Sequence, residues 1–247
     1  MHQSGGVALN FTQDVSEAHV AAAIRYEARL RPHYFAQPAS SQLWFDQRDG
    51  VVPILVCAPH ATAAIREGRM RGPDTGTGWL AYMLHRLTGV ATLHTVCASP
   101  SDPNFYDDNA FKRALAQIIH EASPRLVLDL HGCHWSRPFD VDLGTMHGAS
   151  LLGQSHHLTQ LRGALGDAGL GRLSDNWFAA ARNSTITKWV TGLGVPCIQL
   201  EVQSTWLHPS RDRNRAHRSA RLLQGLCRFI ASTLAASFSA ASAFERR

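Results

Sequence analysis

Lysine is nearly missing from this chain. Lys112 and Lys188 are its only two, so the 24 basic side chains are almost all arginine. The net charge of +5 and the pI near 9.2 would suit an anionic partner. The densest basic stretch, Arg211, Arg213, Arg215, Arg218 and Arg221, instead reads as the solvated face of a C-terminal helix. No aromatic platforms interleave with these arginines, and no reading helix is visible. Nucleic acid is therefore not the expected partner.

Other absences narrow the field further. The five cysteines are odd in number and include no CxxC pair, which argues against a disulfide framework. Cys57, Cys97 and Cys197 fall inside apolar runs, where a thiol packs as a small hydrophobe. No basic segment followed by an apolar one opens the chain, so no signal peptide is expected. No apolar run reaches the roughly 18 residues of a membrane span. A reducing, cytoplasmic setting is the expectation. The chain also has no GxSxG nucleophile elbow, no P-loop and no GxGxxG after a strand. Elbow-type serine hydrolysis, P-loop nucleotide chemistry and dinucleotide binding lose their usual signatures.

What is present is a core. Hydrophobic residues make up 45% of 247 positions, enough for a sizeable interior. Apolar runs at Val51–Ala58, Val90–Ala98, Arg125–Leu130 and Val195–Val202 read as strands, and Asp140–Met146 as a shorter one. Helical patterns fall at Val15–Leu30, capped by Asp14 or Ser16, and at Trp79–Leu87, Asp108–Ala122, Leu151–Ala168, Ser184–Leu193 and Asp212–Ala235. The Ala- and Ser-rich tail beyond is expected to fray. Strands separated by helices predict an α/β fold with a mostly parallel sheet flanked by helices. No repeat or low-complexity linker divides the chain. It reads as one domain over residues 1–247, with a core of about 45–235.

In such sheets the site lies beyond the carboxyl ends of the strands. Two of the predicted strands end near histidine, in Pro59-His60 and in Leu128-Asp129-Leu130-His131-Gly132. Two imidazoles from one sheet end could share a metal ion. Neutral imidazole suits zinc, and a catalytic zinc uses about three protein ligands and one open position. The third ligand is Asp74, in a Gly-rich loop, or Asp129. Asp129 stands two residues before His131 on the same strand face, so it fits better as a residue orienting that histidine. A His-Cys set using Cys133 and His134 lacks a second spaced pair. Most of the 14 histidines are ordinary; His2, His19, His33, His156, His157 and His217 look like surface positions.

Glu201 ends the apolar run from Val195. A carboxylate at the end of a core strand is costly unless paired or used. As a general base it would take a proton from the attacking water and pass it to the leaving nitrogen. A substrate carboxylate would want an arginine; Arg137 and Arg182 are the leading candidates, with Arg71 and Arg211 also eligible. Asn104 could orient the substrate. The helix start at Ser184-Thr185 could offer N–H groups to an anion.

These pieces, taken in order, resemble the N-formylglutamate amidohydrolase family, a branch of the zinc-dependent carboxypeptidase-like hydrolases. The matching segments are Pro59-His60, Gly72-Pro73-Asp74-Thr75-Gly76-Thr77-Gly78, Asp102-Pro103-Asn104, Phe111-Lys112, Asp129-Leu130-His131-Gly132, Asp140-Val141-Asp142-Leu143-Gly144-Thr145 and Gln199-Leu200-Glu201. The resemblance implies a phosphorylase/carboxypeptidase-like architecture and one zinc ion. It also implies hydrolysis of the amide of a small acidic N-acyl amino acid. By position it makes His60, Asp74 and His131 the metal ligands and Glu201 the base. The chain departs from the family where Ala61-Thr62 follows His60 in place of Ser-Gly or Asn-Gly, and where no arginine follows Asn104 closely. An exopeptidase or deacylase acting on a short peptide or modified metabolite is therefore an alternative expectation. A catalytically silent metal- or ligand-binding protein is another.

Overall fold

Alternation along each central strand decides how the sheet is covered. In β2 (Val52–Ala58), Ile54, Val56 and Ala58 enter one hydrophobic cluster, while Leu55 and Cys57 enter a second on the opposite face. Strands buried on both faces in this way belong to a sheet layered between helices. The computed structural model describes residues 14–39 and 42–244. The predicted absence of a leader and the surface position of His2 therefore lie outside the described residues.

The other strands are β1 (Phe45–Arg48), β5 (Val90–Thr95), β6 (Leu126–Cys133), β7 (Val141–Gly144), β8 (Leu173–Asp175) and β9 (Cys197–Gln203). With β2 they form one seven-stranded sheet in the order β1-β5-β2-β6-β9-β7-β8. The central four, β5-β2-β6-β9, run parallel. β1 and β7 each join antiparallel to a central strand, and β8 pairs parallel to β7. A short hairpin, β3 (Ala64–Arg66) and β4 (Arg69–Arg71), stands apart.

The helices are α1 (Glu17–Leu30), α2 (Thr77–Thr88), α3 (Ala110–Ala122), α4 (His156–Asp167), α5 (Ile186–Gly192) and α6 (Arg213–Phe244). Leu80 and Leu84 of α2 and Leu222, Leu226 and Phe229 of α6 cover one face of the sheet. Phe111 and Leu115 of α3 and Ile186 and Val190 of α5 cover the other. The mostly parallel, helix-flanked sheet expected from the sequence is thus observed.

Several expectations need correction. Leu151 ends a 3-10 segment begun at Met146, and α4 starts only at His156. The helix α6 continues to Phe244; alanine, the best helix former, carries it through the stretch expected to fray. His157 is not a surface residue but 3% exposed, one turn before the buried Leu161 on the same face of α4. Of the two caps expected for α1, Ser16 is the one observed, and His19 completes a reciprocal capping box there. Among the described residues no helix is long and apolar enough to cross a membrane.

Candidate metal centre

The pleat collects the polar residues of the central strands on one face. Val127 of β6 and Cys197 of β9 lie in the α3–α5 cluster, so Asp129 and His131, then Gln199 and Glu201, point to that same face. The register places His131 directly beside Glu201, and Glu201 opposite Asp142 of β7. His60 arrives from the turn after β2. His131 lies within β6 rather than beyond it, since that strand runs on to Cys133.

Asp74 reaches the two histidines from the loop before α2. Its backbone N–H donates to the His60 carbonyl at 2.7 Å, and its own carbonyl accepts from Thr77. Gly76 makes this turn possible. Its φ is +98°, and a Cβ there would sit 2.4 Å from the Leu207 carbonyl oxygen.

The carboxylate Oδ2 of Asp74 lies 3.0 Å from His131 Nδ1 and 3.6 Å from His60 Nδ1. One ligand atom from each of His60, Asp74 and His131 falls within 4.8 Å of the others. Behind each ring stands a fully buried aspartate. Asp102 Oδ1 is 2.8 Å from His60 Nε2, and Asp129 Oδ1 is 3.1 Å from His131 Nε2. The latter pair is off the ideal hydrogen-bond line, and neither atom has another partner. Asp102 is held in turn by Arg66 at 2.7 Å and by the Asn104 N–H. Asp129 accepts from Thr187 of α5. Both imidazoles thus turn Nδ1 toward a common point and Nε2 toward a carboxylate, the arrangement that fixes tautomer and ring orientation at metal sites. Two nitrogens and one carboxylate oxygen suit zinc and leave a position open.

The electrostatics favour a cation at that point. Burial opposes ionisation of His60, yet the bonds and charges of Asp102 and Asp74 outweigh it and raise its pKa to about 9. Burial is likewise overcome at His131, chiefly by Asp129. Burial would raise Asp74, but its bonds to both histidines hold its carboxyl well below the usual range. The three groups want positive charge among them, and protons meet that demand where no metal does. Glu201 differs: burial pushes its pKa up to about 7, against the opposing pull of His131. Its one side-chain hydrogen bond comes from Gln199, at 3.2 Å.

The remaining predicted residues separate. Arg137 is half-buried near this end of the sheet, its guanidinium 5.0 Å from the Phe178 ring centre and its Nε without a partner. The Phe178 loop is held there by Asp142, which accepts from Ser174 Oγ and from the Trp177 and Phe178 N–H groups. Arg182 is exposed, with no described ion pair, and Arg71 is exposed at the end of β4. The Asn104 side-chain oxygen accepts from the Ile186 N–H at 2.7 Å, and Thr185 caps the Lys188 N–H. The α5 start expected to receive an anion therefore already spends those donors within the protein. Cys133 Sγ lies against the Glu201 backbone carbonyl and His134 bonds Ser136, so neither joins the cluster. All five cysteines are free.

Sequence reasoning missed Asp102 and Arg66 as supports of His60. The sole signal was the Asp102-Pro103-Asn104 segment, whose role depends on a contact 42 residues away.

No protein-family model and no curated protein matches the chain. Solved structures do share its fold. The N-formylglutamate amidohydrolase from Ralstonia eutropha superposes with a TM-score of 0.56 at 14% identity, covering 76% of this chain and 96% of that one. A gene product from Agrobacterium tumefaciens gives a TM-score of 0.54 at 12% identity, covering 84% and 99%.

Proposed function

We propose that the protein is a zinc-dependent amidohydrolase acting on a small acidic N-acyl amino acid such as N-formylglutamate. The observation that carries this reading is the convergence of His60, Asp74 and His131 within 4.8 Å, with Glu201 in register beside His131. The shared fold with an N-formylglutamate amidohydrolase supports it.

His60, Asp74 and His131 would hold the ion, and Asp102 and Asp129 would keep the two rings turned inward. A zinc ion so held supplies Lewis acidity at the scissile carbonyl and lowers the pKa of water to about 7. Glu201 then acts as general base. Its burial gives it an affinity for protons matched to accepting one from the attacking water and returning it to the leaving nitrogen. Arg137, held over Phe178 with an unused Nε donor, would meet the carbonyl oxygen or a substrate carboxylate. Asn104 serves the reading indirectly, by fixing the Asp102 loop to α5. Arg182 remains eligible only if substrate reaches its exposed loop. Five free thiols accord with a cytoplasmic setting.

Metal content measured together with N-formylglutamate hydrolysis tests the proposal. About one zinc per chain and turnover abolished by His131→Ala, with loss of the metal, is the expected result. A purified protein that binds no zinc ends the reading. Turnover confined to dipeptides would transfer it to an exopeptidase.

A further inference from the structure

A cavity on the side of α1 lies beside the loop that carries Asp74. Its volume is about 730 Å³, and its lining includes Glu27, Arg31, Thr75, Leu207, His208 and Arg211. Two contacts tie it to the centre. Thr75 directly follows Asp74 and its hydroxyl lies 3.3 Å from His208 Nε2. Leu207 packs where Gly132, next to His131, has no side chain; a Cβ there would be 3.1 Å from Leu207 Cδ1.

The chemistry of the walls is unequal. Arg31 closes the C-terminal end of α1, and Arg211 stands in the loop after β9. Neither forms an ion pair among the described residues. Burial lowers the pKa of His208, and Arg215, Arg211 and Arg31 lower it further. Positive potential therefore gathers at this mouth. The one acid on the wall is Glu27, 7% exposed. Tyr34 donates to its Oε1, and its Oε2 has no hydrogen-bond partner. Burial raises the Glu27 pKa, against the opposing pull of the Tyr34 hydroxyl and the Arg31 charge. A hydroxyl and two guanidinium groups without an ion pair among the described residues give this lining its donors.

We infer that this cavity receives the carboxylate-bearing end of the substrate, gripped by Arg31 and Arg211, while the scissile amide lies at the His60–Asp74–His131 centre. This rests on the amidohydrolase reading for the identity of the ligand. It deepens that reading in one respect. A cavity of this volume exceeds the needs of a single acylated amino acid, since pockets of roughly 300–1,000 Å³ serve larger ligands. The substrate class it fits is an amide with an acidic group set away from the bond to be cut. An elongated N-acyl acidic amino acid or a short acidic peptide meets that description. Arginine provides the paired parallel bonds that a carboxylate accepts, which lysine cannot, and the chain has almost no lysine to offer.

The test is calorimetric binding of glutarate to zinc-loaded protein, in the native chain and in Arg31→Gln, Arg211→Gln, the double variant and Arg137→Gln. Zinc stoichiometry is the folding control. The expected result is glutarate binding to the native protein that weakens about tenfold or more in the double variant, with the metal retained. Equal affinity in the native and double-variant proteins would overturn the inference, as would loss through Arg137→Gln alone. Because binding is read without turnover, a chain that binds glutarate through Arg31 and Arg211 yet cleaves no amide would sink the amidohydrolase reading and leave the anion pocket standing.

Discussion

Glu201 and His131 are neighbours across the β6–β9 register, side by side on one face of a parallel pair. Adjacent strands lie about 4.8 Å apart, so the position of the candidate base relative to the metal centre is set by backbone hydrogen bonding. Burial then supplies the proton affinity, about 7 for its pKa. Glu201→Gln keeps the shape and removes the base. Turnover is expected to fall about 10²–10⁴-fold, with zinc content unchanged. Steady-state rates beside metal analysis check this; near-native turnover in the variant would remove Glu201 from the mechanism.

Asp102 is the hidden partner of His60. It is fully buried, and its two oxygens are divided between His60 and Arg66. In Asp102→Asn the ring nitrogen keeps a hydrogen-bonding neighbour but loses the charge that orients it and raises its basicity. Supporting carboxylates of this kind are worth about 10–100-fold in metal affinity. Competition with a chromogenic chelator should show zinc binding weakened by that factor. A variant with native zinc affinity would show that Asp102 serves Arg66 alone.

The difference between these two residues shows what the sequence disclosed. Glu201 was legible because an apolar strand ended in a carboxylate, and the cost of burying it demanded a use. The β2, β6 and β9 strands were legible for the same reason: long apolar runs have few other fates. Asp74 was one of two options on local grounds, and only its place in an ordered set of motifs favoured it. The strands β1, β3, β4 and β8 went unseen. They are three or four residues long, and β1 buries only Phe45 and carries charged side chains in two of its four positions. The roles of Asp102 and Asp142 depend on contacts between distant segments, which local pattern alone does not reveal. The same limit hid the bond from the Ile186 N–H to the Asn104 side chain, 82 residues away.

Gly76 offers a test of how the third ligand is delivered. Its positive φ and the Leu207 backbone leave no room for a Cβ. Gly76→Ala must strain the turn or push it outward, and Asp74 moves with it. A loss of about 2–4 kcal/mol is expected from strain and overpacking combined, seen as a lower midpoint in urea, with weaker zinc binding. Gly72→Ala in the same loop meets nothing within 4 Å and should match the native protein in both measurements. If Gly76→Ala lost stability but kept native zinc affinity, Asp74 would not depend on this turn for its position.

Acid should destabilise the fold through histidines far from the metal. His94 is fully buried and His157 is 3% exposed. Burial lowers both to a pKa of about 4, against about 6.5 in an unfolded chain. Between these values the unfolded chain binds the proton and the native state does not. Stability contributed by the neutral rings is therefore complete above about pH 6.5 and is lost as pH falls toward 4. Each site could cost on the order of 1–3 kcal/mol across that window. The ligand histidines act with the opposite sign, since their folded pKa values are raised, so the total slope alone is uninformative. The difference between the native protein and His157→Leu isolates the effect. The variant lacks the titrating ring; the Nδ1 it removes has no partner, and the one hydrogen bond given up among the described residues is the long Nε2 contact with Gln154, at 3.3 Å. Urea unfolding at several pH values should show the variant losing less stability than the native protein from pH 6.5 to 4. Parallel curves would mean that His157 is protonated as readily in the folded chain as in the unfolded one.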